Sequence, residues 1–197
     1  MAHYFTNENL PSKEKEIKVN VRGKYYTFIT DNGVFSKKGL DFGTRTLLES
    51  LPKIKGKILD LGCGWGPIGI VLADENTVDM VDVNERSLNL AKKNALLNDK
   101  KVNIFKSNIY ENITDTYDYI ITNPPIRVGK EILNEFLLEA KDHLKTNGEL
   151  WFVIHKDQGA KSMYKKVNEI YDASIVCKNK GFYIIKAIKK WAVNSAI

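Results

Sequence analysis

A short strand-like run ending in a glycine-rich turn is the strongest constraint on how this chain can fold. Lys57-Ile58-Leu59-Asp60-Leu61 is followed at once by Gly62-Cys63-Gly64-Trp65-Gly66-Pro67-Ile68-Gly69. A buried strand that empties into alternating glycines, with proline at the next helix start, turns sharply and lets backbone approach a ligand without Cβ contact. The segments that follow keep to one rhythm. Val78–Val83, Val102–Phe105, Tyr117–Thr122 and Glu149–Ile154 read as strands, and the chain continues as a helix through about Ala73 after the glycine turn. Further helices are expected over Asn84–Leu97, with Leu88, Ala91, Ala95 and Leu96 at helical spacing, and over Lys130–Leu144 and Gln158–Tyr171. Ala173–Cys177 and Phe182–Ile188 flank a turn and close the chain as a hairpin.

Upstream, Glu16–Thr30 alternates around Arg22-Gly23-Lys24 as a β-hairpin, Asp31-Asn32-Gly33 turns again, and Gly43–Leu51 is a short helix stopped near Pro52. These readings predict an α/β fold with a doubly wound, mostly parallel seven-stranded sheet. An antiparallel C-terminal hairpin stands at its edge, and an N-terminal β-hairpin and helix are added. The expected organisation is one domain over 1–197, with 1–52 as the added hairpin and helix and 53–197 as the core. In such a sheet ligands sit beyond the carboxyl ends of the strands, so chemistry belongs just after Leu61, Val83, Phe105, Thr122 and Ile154.

Bulk composition narrows the classes further. No run approaches the roughly 18 apolar residues of a membrane span, and residues 1–12 lack a signal-like apolar stretch. The two cysteines, Cys63 and Cys177, stand in unrelated contexts, and with only three histidines no metal cluster is legible. The expectation is a cytoplasmic protein with free thiols, no metal and no membrane partner, monomeric or homodimeric. A net charge of +6 suits a polyanion, but 26 lysines against 4 arginines and 18 asparagines against one glutamine reflect a compositional skew, so charge is only permissive evidence for RNA.

Within the turn, Gly64-Trp65-Gly66-Pro67-Ile68-Gly69 also satisfies the dinucleotide pattern G-x-G-x-x-G. Asp60 weighs against a pyrophosphate, which a carboxylate would repel, and favours a cationic amino acid moiety with a sulfonium nearby. Pro67 also lacks an N–H that a helix start could offer a phosphate. Asp82, about 20 residues on, can accept the hydroxyls of a ribose. Asn108 either bonds a purine edge or is a simple turn residue.

Asn123-Pro124-Pro125-Ile126 follows the apolar fourth strand. Two prolines fix the preceding carbonyls, so the Asn123 side-chain oxygen and the Pro124 carbonyl can both accept from one –NH₂ group. Such a nitrogen is conjugated and a poor nucleophile. Paired acceptors expose its lone pair to an in-line electrophile, and no strong base is needed. His155, at a strand end, could serve as a base, but this chemistry does not call for one. Arg127 could meet a phosphate or stay solvated, and Trp151 and Phe152 read as core.

Together the glycine turn and the Asn-Pro-Pro corner, with Gly33-Val34-Phe35-Ser36 and Gly39-Leu40-Asp41-Phe42-Gly43-Thr44 upstream, resemble the class I methyltransferases. More specifically, they resemble the methyltransferase small domain family, over roughly residues 16–190. The family includes small-subunit rRNA guanine 2-amino methyltransferases. The resemblance implies S-adenosylmethionine as cofactor, held by Asp60, Gly62 and Gly64 at its amino acid part and by Asp82 at its ribose. It implies that Asn108 lies near the adenine, that Asp41 belongs to a segment folding over the donor, and that Asn123, Pro124, Pro125 and Ile126 receive the acceptor nitrogen. The implied substrate is guanine in small-subunit rRNA, with an adenine amino group or a protein glutamine amide as rivals. A dinucleotide-dependent oxidoreductase, or an RNA module that has lost catalysis, are the rivals from other classes. The chain departs from the family in three places. Asn108 stands where aspartate is common, Ile126 stands where an aromatic often stacks on the target base, and the degenerate N-terminal domain of the two-domain rRNA enzymes has no counterpart.

Overall fold

The structure is a computed structural model that describes residues 11–34, 36, 39–125 and 129–190. Two sheets form. The first is the predicted hairpin, β1 (Lys15–Val21) and β2 (Lys24–Thr30), joined by Arg22 and Gly23 at φ 52° and 74°. Two consecutive left-handed residues give the turn whose twist matches the strands it joins. The Arg22 guanidinium then donates to the carbonyls of Leu48 and Leu51, each at 2.6 Å, and to Pro52. It therefore caps the open end of α1 (Phe42–Ser50), where carbonyls lack helical partners and a cation is favoured.

The second sheet contains β3 (Lys57–Leu61), β4 (Thr77–Asp82), β5 (Asn103–Lys106), β6 (Tyr117–Thr122), β7 (Leu144–His155), β8 (Tyr171–Asn179) and β9 (Phe182–Lys189) in the order β5-β4-β3-β6-β7-β9-β8. β5 through β7 are parallel in space, and β9 runs antiparallel between β7 and β8. The antiparallel strand is thus second from the edge, and the edge strand β8 runs with the parallel set. Helices α2 (Pro67–Leu72), α3 (Glu85–Leu97), α4 (Gly129–Leu138), α5 (Ala140–His143) and α6 (Ala160–Ile170) complete the fold. Side chains alternate across the sheet into two cores. Ile58, Met80, Ile121, Trp151, Val153 and Ile184 pack toward the hairpin, α1, α2 and α3. Leu59, Val81, Ile120, Phe152, Ile154 and Ile185 pack toward α4, α5 and α6. Trp151 and Phe152 are core on opposite faces, as expected.

Docking of the hairpin depends on α3. Asn94 and Asn98 each present a side-chain amide to one residue of β2. Asn94 exchanges bonds with the Ile29 N–H and carbonyl, and Asn98 with those of Thr27. Four residues of helix rise about 6 Å and two residues of strand about 6.6 Å, so the amides meet alternate backbone positions as a neighbouring strand would. Asn94 also donates to the Trp65 carbonyl at 2.8 Å, which ties the hairpin to the glycine turn.

Three expectations need correction. Leu96 belongs by spacing to the apolar stripe of α3 but is 82% exposed; Leu88, Leu90, Ala91 and Ala95 are the buried ones, and the amide face of Asn94 turns the helix. The helix expected over Lys130–Leu144 runs as α4 and the short α5, and Leu144 is already extended. β7 accordingly begins at Leu144 rather than Glu149. It carries an irregularity against β6, with Asn147 at φ 60° and Gly148 passing so close to the Tyr117 and Lys145 carbonyls that a Cβ would stand 3.0 Å from each. Glycine removes that conflict.

Candidate active site

The sheet order creates a crevice. The chain walks outward from β3 to β4 to β5, then returns to lay β6 on the other side of β3. Open α/β sheets bind ligands where the order reverses, beyond the strand ends. The Asn-Pro-Pro corner and the glycine turn flank this point. β3 and β6 pair through Asp60 and Ile121, and the Thr122 hydroxyl donates to the Leu61 carbonyl at 2.7 Å.

The glycine turn is held by backbone bonds from one side. The N–H groups of Gly62 and Cys63 both donate to the Val81 carbonyl, and Gly64 N–H donates to Asp82 Oδ2 at 2.9 Å. Gly62, Gly64 and Gly66 have φ of 72°, 57° and 95°, the left-handed region where a Cβ is costly. A Cβ at Gly66 would stand 2.8 Å from the Met80 methyl, whereas one on Gly64 would meet nothing within 4 Å. Gly66 is glycine for packing, and Gly64 faces open space. Pro67 opens α2, where its missing N–H costs nothing.

Two carboxylates line this turn. Asp60 is fully buried; Oδ2 accepts from Gly69 N–H at 2.8 Å, and Oδ1 has no partner among the described residues. Burial pushes its carboxyl up to about 7, the nearby Asp82 adds to the rise, and the Gly69 bond opposes it. An orphaned buried oxygen is costly alone and calls for a donor or cation from outside the chain. Half-buried Asp82 ends β4. Its oxygens accept from Gly64 and Asn84 N–H, and burial holds its carboxyl above the usual value against those bonds. A buried carboxylate lacking a partner, an open glycine cradle and a second acid at the next strand end fit a cationic, ribose-bearing donor. Asn108 is exposed, with its carbonyl accepting from Glu111 N–H in a turn and its side chain without a partner among the described residues.

Asn123 is fixed by residues of α1 and its cap. Asp41 N-caps this helix, accepting from Gly43 and Thr44 N–H. The Asn123 Nδ2 group donates to Thr44 Oγ1 at 2.8 Å and reaches both Asp41 oxygens at 3.3 and 3.4 Å. An ionised carboxylate can only accept, so the amide must turn its NH₂ end this way, and Oδ1 is left without a partner among the described residues. The Asp41 and Thr44 contacts with Asn123 link segments some 80 residues apart and had no signal in the sequence. Ile126 and Arg127 lie outside the described residues, as does Phe35. His155 accepts the Asp157 N–H at Nδ1 and packs edge-on against Phe182.

Two spaces adjoin the tripeptide. On the α4 and α6 side a cavity of about 160 Å³ is lined by Pro124, Pro125, Gly129, Lys130, Leu133, Ile154 and Gln158. On the α1 side, where the Asn123 side chain points, stand Phe42 and Phe182, ring centres 5.7 Å apart. Among the described residues no group of three ligands could hold a metal, and no helix is long and apolar enough to cross a membrane.

A reversed sheet with a glycine cradle after its central strand and acids at two neighbouring strand ends is the architecture of a class I S-adenosylmethionine-dependent methyltransferase. The chain belongs to the methyltransferase small domain family, whose pattern matches residues 25–186. Relatives include the uncharacterized protein YbxB of Bacillus subtilis, 44% identical over 95% of this chain and 98% of its own length. The ribosomal RNA small subunit methyltransferase C of Aeromonas hydrophila is 38% identical over 61% of this chain, but that covers only 37% of its own length. Among solved structures, the 16S rRNA N2 methyltransferase RsmC of Thermus thermophilus, in complex with AdoMet and guanosine, superposes with a TM-score of 0.83 at 26% identity. The match takes in 92% of this chain and 52% of that one. The chain therefore spans about half or less of the rRNA enzymes it matches and nearly all of YbxB.

Proposed function

We propose that this protein transfers a methyl group to the exocyclic 2-amino nitrogen of a guanine in small-subunit rRNA, in the cytoplasm. The observation that carries this reading is the clamped Asn123 amide, whose oxygen has no partner among the described residues and which follows the strand next to the donor cradle. Bound S-adenosylmethionine supplies an electrophilic sulfonium methyl. Asp60 answers the donor's positive charge with its free oxygen, Gly62 and Gly64 admit the donor backbone to backbone, and Asp82 meets the ribose. Asn108 stands beside the adenine end, where its free side chain can bond a ring edge. On the acceptor side, Asn123 Oδ1 and the Pro124 carbonyl accept the two N–H groups of one amino nitrogen, and Pro125 sets the wall beside it. The nitrogen's lone pair then faces the donor without a general base, because its proton becomes acidic as the new bond forms. Asp41 holds Asn123 in place as well as lying in the segment near the donor.

The rRNA guanine assignment is supported by the rRNA methyltransferases that the chain resembles, and a net charge of +6 is compatible with a polyanionic substrate. Mass mapping of rRNA from cells with and without the gene tests it. One methylguanine missing from small-subunit rRNA in the deletion is expected. Unchanged rRNA would redirect the acceptor to an adenine amino group or a protein glutamine amide, which the same corner can serve.

A further inference from the structure

A base lifted out of RNA needs a flat partner for its ring, and the position after Pro125 offers none, because Ile126 is aliphatic. The tertiary structure brings two aromatic rings to the same corner from distant parts of the chain. Phe42 opens α1 directly after Asp41, the residue that holds the Asn123 amide. Phe182 opens β9 opposite His155, the last residue of β7, whose ring stands edge-on to it at 4.8 Å. A Cβ placed on Gly43 would lie 3.0 Å from the Phe182 ring and 3.1 Å from Asp41 Oδ1. The Phe182 ring thus sits against backbone immediately beside the Asp41–Asn123 contact. Both rings are half-exposed, and Phe42 is covered by the amine of exposed Lys180, 4.9 Å from the ring centre. Lys180, in the β8–β9 turn, meets no acidic partner among the described residues, whereas Lys57 and Lys145 at the opposite ends of the strands are ion-paired.

We infer that Phe42 and Phe182 form the stacking platform for the flipped-out nucleobase, and that Lys180 holds the phosphate of a flanking nucleotide. The inference rests on the reading of Asn123 as the acceptor of a base amino group, and it deepens that reading by naming what holds the ring. The Asn123 side chain settles which of the two adjoining spaces is used, because it bonds to α1 and so points away from the cavity beside Leu133. Stacking on an aromatic face is tolerant of sequence, so the platform supplies binding while the amide corner selects the amino group.

The test uses the full chain, S-adenosylmethionine, and small-subunit rRNA purified from a strain lacking the gene. Phe182→Leu keeps apolar bulk in the strand and removes the π face. It is expected to raise the KM for rRNA roughly 5- to 100-fold, the range of one lost base stack, with donor affinity within twofold of wild type and with Phe182→Trp restoring most of the loss. Phe42→Leu is expected to act in the same direction, and Lys180→Ala to lower the slope of log KM against log salt by about one unit. An unchanged KM in both Phe→Leu variants, while rRNA is still methylated by wild type, would overturn the platform and leave the acceptor reading standing. So would a rise in KM on Leu133→Trp alone, which would move the base to the cavity side. Methyl transfer by wild type to a protein amide and none to rRNA would overturn both.

Discussion

At the scale of single residues, two side chains carry the chemistry by what they lack. Asn123 has given its donors to Thr44 and Asp41, so its oxygen can serve only an incoming N–H. Asn123→Ala is expected to leave donor affinity nearly unchanged and to lower turnover on the order of 10²-fold, the usual cost of one preorganised polar contact; calorimetry and single-turnover methylation separate the two quantities. Asp60 lacks a partner among the described residues for one oxygen, in a site that lifts its carboxyl to about 7. An unfolded aspartate titrates near 4, so the donor-free protein binds this proton more tightly folded than unfolded. The Asp60 contribution to stability is therefore full below about pH 4 and is lost as pH rises toward 7, on the order of 4 kcal/mol across the window. Asp31, Asp74 and Asp118 lie below their usual values and act in the opposite sense. The difference in urea stability between wild type and Asp60→Asn at pH 5 and pH 7 isolates the Asp60 term, and Asp60→Asn should gain relative to wild type as pH rises. Donor affinity runs the other way. A cation prefers the ionised carboxylate, so binding should tighten up to about pH 7 and release a proton, seen as a buffer-dependent calorimetric heat.

At the scale of elements, the glycine turn and α2 are one unit, because the N-cap Gly66 sits at φ 95° with Met80 and Ile70 closing over it. Gly66→Ala adds left-handed strain and overpacking together and is expected to cost about 2–4 kcal/mol in denaturant unfolding. α1 is held at both ends by long-range contacts, with Asp41 at the start also gripping Asn123 and Arg22 from the hairpin closing the finish. Asp41→Ala removes the cap and the clamp at once. It should lower stability by about 1 kcal/mol and turnover more than donor affinity, read from melting curves beside kinetics.

Across the whole molecule, the N-terminal hairpin is joined to the core by amides as much as by apolar contact. Asn94→Ala removes three bonds, two to Ile29 of β2 and one to the Trp65 carbonyl, through buried or half-buried groups. About 2–4 kcal/mol of destabilisation is expected, with faster amide exchange in β2 than in β3 or β6. Because the Trp65 carbonyl belongs to the glycine turn, donor affinity should fall as well.

Local chemistry made much of this legible from the sequence. Alternating apolar residues placed the strands, glycines and prolines marked the turns, and the order of elements predicted a reversed parallel sheet with its ligand beyond β3 and β6. These follow from periodicity and backbone sterics, which act over a few residues. What the tertiary structure decided are the contacts between segments far apart in sequence. The amide of Asn123 is oriented by Asp41 and Thr44, the aromatic pair comes from α1 and β9, and polar Asn94 faces inward while Leu96 faces solvent. A helical stripe counts hydrophobic residues, and it cannot register that an asparagine four residues from another asparagine matches the spacing of a strand. Only the packed chain supplies that strand.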